Sequence, residues 1–375
     1  MSNPTDRSVD EDDDKSRRKY KVVSTPIDSG FIPTLGVTLW LGWTGAPILM
    51  FLLALLLPDR TFILLRSTLI GLMIASLILP RSFGSVGERI GNWMMRQAEA
   101  YFGLTTTIED EQALLDISNL PLDASSSSSP PCVIFAFEPH DLIPFAVFAF
   151  NSSLKRLPGR IGETGCCLIT GACFKVPFMR QVYSWVGSHP IDKTTFRKRL
   201  EKGQSLTMVP GGVQEVIFMM KERMKRRKQL KTKKKISDDA NEDGEDIVLF
   251  LKNRKGFVKL ALEYGVSIVP VFGFHIDESF GFFIPPDGPI VRQMARSLGL
   301  LPVFYWGRWG IPFGIPRSKR VNVVIGKPIA IPKMGNNVTD SAVDTYHQLY
   351  LEELEKLFER HKVQEGYGHR KLRIE

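Results

Sequence analysis

Apolar residues fall into three patterns along this chain. From residue 31 to 58 no charge interrupts the sequence, and a second apolar run, 61–79, is broken only by Arg66. A bilayer span needs about 20 apolar residues, and the stretch from Leu49 to Leu57 is apolar on every helical face. Residues 31–80 are therefore expected to form a membrane hairpin. Basic residues flank it on both sides, Lys15 to Lys21 before and Arg81, Arg89 and Arg96 after, which places both termini in the cytosol. The second pattern has helical spacing: Val86, Ile90, Trp93, Met94 and Tyr101, with Glu88, Arg89 and Arg96 between them. It predicts an amphipathic helix on the membrane or on the following domain. A serine-rich stretch closes the 81–131 segment as a linker. The third pattern is alternation. Short apolar strands at 132–137, 166–170, 205–209, 266–272 and 321–325 are interleaved with helical runs at 142–150, 178–186, 196–202 and 256–264. This predicts an α/β domain over 132–375, a sheet flanked by helices. A charged amphipathic helix at 341–361, started by Ser341 and Asp344, ends it. Residues 1–30 are polar and are expected to be disordered.

Composition changes this picture in two places. The 375 residues carry a formal charge of +9, which favours an anionic partner such as lipid headgroups or a phosphorylated co-substrate. No reader helix, zinc signature or RNP-like strand points to nucleic acid. Part of the charge sits in the 221–246 stretch, where ten basic residues precede six acidic ones, and reads as a solvated insertion loop. Cys132, Cys166, Cys167 and Cys173 lack metal-ligand spacing and read as reduced, buried thiols. The glycosylation patterns at Asn151 and Asn337 would go unused in a cytosolic domain.

Two segments carry chemistry. Phe137-Glu138-Pro139-His140 follows one predicted strand, and Pro210-Gly211-Gly212-Val213-Gln214-Glu215 follows another. Each stands where a buried strand should end, so His140 and Glu215 could meet at one edge of the sheet. Pro139 fixes the turn before the histidine, and the glycine pair lets backbone N–H groups approach a ligand. A neutral imidazole can take the proton of an alcohol as it attacks a thioester, with Gly211 and Gly212 N–H groups as candidate donors to the oxyanion. Glu215 could orient His140, hold the acceptor or cap the next helix. Glu138 and Asp141 flank the histidine. Arg254 is the basic residue chosen to meet anionic phosphates. Of the other histidines, His347, His361 and His369 are expected to be solvated, and His189 and His275 to lack supporting neighbours. With a membrane anchor upstream, this layout suggests an enzyme acting on lipid at a bilayer surface.

Together these segments resemble the type-2 diacylglycerol acyltransferase family, plant and algal branch, a membrane relative of the glycerolipid acyltransferases. Glu138-Pro139-His140 is similar to the plant form of its histidine block, and Pro177-Phe178-Met179-Arg180 to its P-x-x-R block. Gly211-Gly212-Val213-Gln214-Glu215, Arg254 to Ala261, Val269-Pro270-Val271-Phe272 and Gly326-Lys327-Pro328 resemble four more, in order. Asp141 stands where the family usually has Ser or Gly, and Phe145 where related acyltransferases place an aspartate. The resemblance implies a glycerolipid-acyltransferase-like sheet and transfer of a fatty acyl group from acyl-CoA to diacylglycerol. It further implies His140 as the catalytic histidine, Glu215 as its supporting carboxylate, and contacts to substrate from Glu138, Pro139, Asp141, Gly211, Gly212 and Arg254. No metal or prosthetic group is expected. The endoplasmic reticulum membrane or a lipid-droplet surface would be the setting, and self-association is left open. Monoacylglycerol or a long-chain alcohol is the alternative acceptor; a non-catalytic lipid-surface protein is the alternative class.

Overall fold

A computed structural model describes residues 20–122, 130–154, 157, 159–212, 246–277, 279–283 and 303–375. Its centre is an eight-stranded mixed sheet. In chain order the strands are β1 (Lys21–Ser24), β2 (Thr105–Ile108), β3 (Val133–Glu138), β4 (Cys166–Ile169), β5 (Ser188–Pro190), β6 (Leu206–Met208), β8 (Ser267–Phe274) and β11 (Asn322–Ile325). They lie side by side as β1-β2-β11-β8-β3-β6-β4-β5. From β8 to β5 the strands run parallel, and β11 and β1 are antiparallel to their neighbours β8 and β2. Strand β7 (Ile247–Leu249) pairs separately with the terminal β12 (Leu372–Ile374), and β9 (Gly281–Phe283) with β10 (Phe304–Trp306).

Strand β3 shows why its sequence is apolar throughout. Val133, Phe135 and Phe137 point into one core and Ile134 and Ala136 into the other, so the period-two alternation is hidden by burial on both faces. On the first face lie α1 (Phe31–Leu56), α3 (Gly84–Tyr101), α5 (Phe145–Ser153) and α7 (Met179–Trp185); α2 (Asp59–Ile78) follows α1 across Leu57 and Pro58. On the second lie α8 (Lys193–Glu201), α9 (Gly256–Tyr264) and α10 (Asp340–His361). Two short helices, α4 (Glu111–Ser118) and α6 (Gly159–Thr164), complete the connections.

Among the described residues, α1 alone has the length and apolarity of a membrane span; the apolar part of α2, Phe62–Ile78, is shorter. Its first half is clamped to the domain. Val37, Trp40 and Leu41 are fully buried, Trp40 meets Phe148 of α5 edge-on, and a side chain at Gly36 would collide with Gln97 of α3. Beyond Pro47 the helix stands free, with Leu49, Phe51, Leu53 and Leu56 exposed. The far end of α2 returns to the domain. Gln181 Nε2 donates to Ser76 O at 2.6 Å, Phe178 N donates to Ser76 Oγ at 2.6 Å, and Arg180 donates to Leu77 O. The P-x-x-R block thus bolts the last turn of α2 to the head of α7, its cation at the negative, C-terminal end of α2.

Several expectations change. Residues 21–24, expected to be disordered, pair with β2. Helix α5 begins at Phe145 rather than 142, because residues before a proline (Pro144) are pushed out of helical geometry. In α3 Val86 and Ile90 are exposed, and the buried face is Gly87, Gly91, Met94, Met95, Ala98 and Tyr101. Glycine is required at 91, where a Cβ would lie 1.9 Å from Trp185 O. The N-cap of α10 is Thr339, whose side chain accepts from Ala342 N, and not Ser341. His347 and His361 are buried, not solvated. His361 Nε2 meets Glu109 Oε1 at 2.9 Å, and Arg360 binds both oxygens of the same carboxylate. His189 lies 3.1 Å from Arg199, and His275 faces Glu365 with Tyr367 OH on its N–H, so both have partners.

Candidate active site

The site grows from two adjacent parallel strands. Ala136 of β3 pairs with Met208 of β6, so both chains leave the sheet at the same end. Glu138 closes β3, a cis Glu138–Pro139 bond follows, and His140 comes next. From β6 the chain enters Pro210-Gly211-Gly212. The two segments touch: Gly211 N–H donates to Glu138 Oε1 at 3.2 Å. Glu138 is fully buried, and its carboxylate ties the two turns together. The Gly211 N–H, a candidate oxyanion donor, makes that bond here. Gly212 has φ of +63°, the left-handed geometry that favours glycine, with open space where a Cβ would project.

His140 is half-buried and is held by its neighbour's backbone. Nδ1 lies 2.8 Å from the carbonyl oxygen of Asp141. A carbonyl can only accept, so Nδ1 carries the proton and Nε2 keeps its lone pair. Asp141 makes this possible through its own conformation: its φ is +51°, which swings its carbonyl back toward the ring. At Nδ1 the partner is thus a main-chain oxygen. Burial pulls the imidazole below its ordinary pKa, with the Asp141 carbonyl opposing. The ring is neutral at physiological pH, the form a general base needs.

The other expected residues are placed less closely. Glu215 lies outside the described residues. Arg254 stands two residues ahead of α9, on the opposite face of the sheet from the helix that follows His140. Its neighbour Lys255 is paired with Asp344 at 2.7 Å, and Arg197 with Glu263 at 2.9 Å. All four cysteines are free thiols, three of them buried. Among the described residues no group of His, Cys, Asp and Glu could hold a metal ion.

Residues 128–248 and 237–374 match a family model described as diacylglycerol acyltransferase. The chain belongs to that family. It is 31% identical over 240 residues to a diacylglycerol O-acyltransferase 2 of Dictyostelium discoideum, covering 61% of this chain and 66% of the relative. The human protein of the same name is 29% identical over 249 residues, 62% of this chain and 57% of that one. A bovine 2-acylglycerol O-acyltransferase 1 is 30% identical over 303 residues, 76% of this chain and 78% of that one. The matched stretch thus spans about two thirds or less of the diacylglycerol acyltransferases it resembles. A solved bacterial neighbour, the 1-acyl-sn-glycerophosphate acyltransferase of Thermotoga maritima, aligns over 87% of this chain and 97% of its own with 12% identity and a TM-score of 0.35. In this family member, what sequence reasoning missed at the site is a main-chain group, the Asp141 carbonyl. That carbonyl leaves no hydrophobic or charge pattern to find, whereas Arg180 stood in the P-x-x-R block and only its bond to Leu77 O is new.

Proposed function

We propose that this chain is a membrane-bound diacylglycerol O-acyltransferase that moves a fatty acyl group from acyl-CoA to the free hydroxyl of diacylglycerol. The observation that supports this reading is the locked tautomer of His140, set at the end of β3 beside a glycine turn and against the face that carries α1. Nε2 takes the hydroxyl proton while the alcohol oxygen bonds to the thioester carbonyl carbon. The carbonyl becomes a tetrahedral oxyanion, with Gly212 N–H as its candidate donor. Collapse breaks the carbon–sulfur bond, and the imidazolium returns its proton to the leaving CoA thiolate. Triacylglycerol and free CoA result, with no proton gained or lost. Glu215 keeps the role of a supporting or acceptor-holding carboxylate, and Arg254 that of a partner for CoA phosphates.

The free end of α1 and the start of α2 supply the anchor, entering the endoplasmic reticulum membrane or a lipid-droplet surface as a hairpin with the catalytic domain cytosolic. The Glu138-Pro139-His140 block, similar to the plant form of the family's histidine block, is the reason to place the chain in the plant and algal branch. A second acceptor deserves a parallel test, because the bovine 2-acylglycerol acyltransferase aligns over 76% of this chain. The experiment gives purified full-length protein labelled acyl-CoA in liposomes holding diacylglycerol, monoacylglycerol or a long-chain alcohol. Labelled triacylglycerol that disappears in His140→Ala supports the reading. Transfer to none of the three, or full activity in His140→Ala, overturns it.

A further inference from the structure

We propose that the β9–β10 ribbon and the turn after it form a second membrane-inserting element, seated in the acyl layer beside the α1 tip. This rests on the membrane reading above and adds to it. The ribbon has two faces of the same character, which a solvated hairpin would not have. Inward, Phe282 and Tyr305 are buried against the core. Outward, Phe283 and Phe304 face each other as a cross-strand pair, Trp306 packs over Gly281, and Trp309 and Ile311 extend the patch along the next turn. Phe304 is 54% and Trp309 67% exposed. An outward patch of large apolar side chains this continuous marks an interaction surface.

The occupant follows from where the ribbon is fixed. Tyr305 OH lies 3.0 Å from Thr44 Oγ1 of α1, and Phe313 fills the space beside Gly45. Both contacts lie one turn below Ile48, where the helix leaves the domain and exposes apolar side chains on all sides. At the other end, Arg308 donates to Thr34 Oγ1 at 2.8 Å and to Ser29 O at 3.1 Å, with its guanidinium 4.5 Å over the Trp309 ring. At 1.5 Å per residue, Thr34 and Thr44 are about 15 Å apart along the axis. The ribbon is therefore graded in the same direction as the helix. Arg308 sits at the Thr34 end, where Phe31 and Ile32 are also exposed, the aromatic rings lie alongside, and the bare hydrocarbon of Ile48 to Leu56 lies beyond Gly45. That order matches a bilayer from headgroups through the aromatic belt to acyl chains. A second copy of the chain would need no such gradient. The ribbon is also fixed one turn from the tip, at Thr44 and Gly45, so one lipid leaflet can cover both.

The test uses the full chain in phosphatidylcholine liposomes, with Cys173→Ala to leave only buried native thiols. An environment-sensitive fluorophore is attached at Phe304→Cys, with Leu55→Cys as the tip control and Glu359→Cys, on the exposed side of α10, as the solvent control. Emission at 304 is expected to be several-fold stronger than at 359, to be quenched by spin-labelled acyl chains, and to resist aqueous iodide. If the probe at 55 is quenched by lipid while the one at 304 is quenched only by iodide, this inference fails and the membrane anchor survives. If neither meets lipid, the membrane reading fails. Shielding of 304 from both quenchers, with cross-linking between copies, would also overturn the inference in favour of a protein interface. A second measurement needs no label: tryptophan quenching by brominated lipid should drop in Trp306→Phe/Trp309→Phe, and an unchanged quenched fraction counts against the inference.

Discussion

The tautomer of His140 depends on one main-chain oxygen, and Asp141 offers a way to test that without touching the ring. Asp141 sits at φ of +51°. For an L-residue the left-handed region costs roughly 1–2 kcal/mol, with Asn and Asp penalised least and glycine not at all. Asp141→Gly and Asp141→Asn can therefore keep the backbone where it is, and both remove the carboxylate. Asp141→Val cannot, because a branched Cβ raises the cost further. If the strain is relieved by turning the peptide, the 2.8 Å bond from Nδ1 is lost, itself a term of about 0.5–1.5 kcal/mol. That bond opposes the turn in wild type and variant alike, so the shift is set by the added strain, about 1–2 kcal/mol, and the oriented ring becomes about 5- to 30-fold rarer. The assay is initial-rate acyl transfer from labelled acyl-CoA to diacylglycerol in liposomes, with thermal unfolding as the control for stability. The expected result is near-normal kcat/KM for Asp141→Gly and Asp141→Asn, and a loss of about 5- to 30-fold for Asp141→Val. Folded Gly and Asn variants that fall as low as His140→Ala would refute the backbone account, because the carboxylate itself would then be needed.

Other expectations follow from the same geometry. His140→Ala should lower kcat by about 10²- to 10⁴-fold while leaving the melting temperature nearly unchanged, as removal of a general base does. Since burial lowers the pKa of His140, activity should be full at neutral pH and fall only as pH drops below the ordinary imidazole value of 6.5; an acid limb above 6.5 in the kcat/KM profile would contradict the buried, neutral ring. Burial pushes the Glu109 carboxyl up, but hydrogen bonds from His361 and Arg360 outweigh it and the net pKa is lowered. A depressed carboxylate adds stability above its unfolded pKa and loses it as pH falls. Glu109→Gln should therefore cost on the order of 2–3 kcal/mol at pH 7, less than for a wholly buried pair because Arg360 reaches solvent, and the gap to wild type should narrow in melts near pH 4. Arg180→Ala removes the donor to Leu77 O and should cost about 0.5–1.5 kcal/mol, read as earlier protease cleavage between α2 and α7.

The sheet's centre was legible because burial on both faces leaves unbroken apolar runs: β3, β6 and β8 were found within two residues of their ends, and α9 at Gly256–Tyr264 has the expected bounds. The edge was not. Thr105-Thr106-Thr107-Ile108 is too polar to read as a strand, and only its pairing with β1 and β11 makes it one. The burial of His347 and His361 is a tertiary fact, since a charged helix face looks the same in sequence whether it meets water or Glu109. At the site, the meeting of the two turns was readable from their places at strand ends. Which group holds the imidazole was not. A positive φ at a residue other than glycine leaves no trace in composition, and a carbonyl belongs to every residue.

The clamp on the first half of α1 has a consequence for how such a protein meets its greasy substrate. An anchor joined by a slack leash lets a catalytic head roam and sample the water above the lipid. Here the first half of the shaft is gripped and its returning arm is pinned at Ser76 and Leu77, so head and anchor tilt as one piece. With the hairpin seated in a lipid layer as proposed, the distance from His140 to that layer would be a property of the fold, and a neutral-lipid substrate would arrive by sideways diffusion within it.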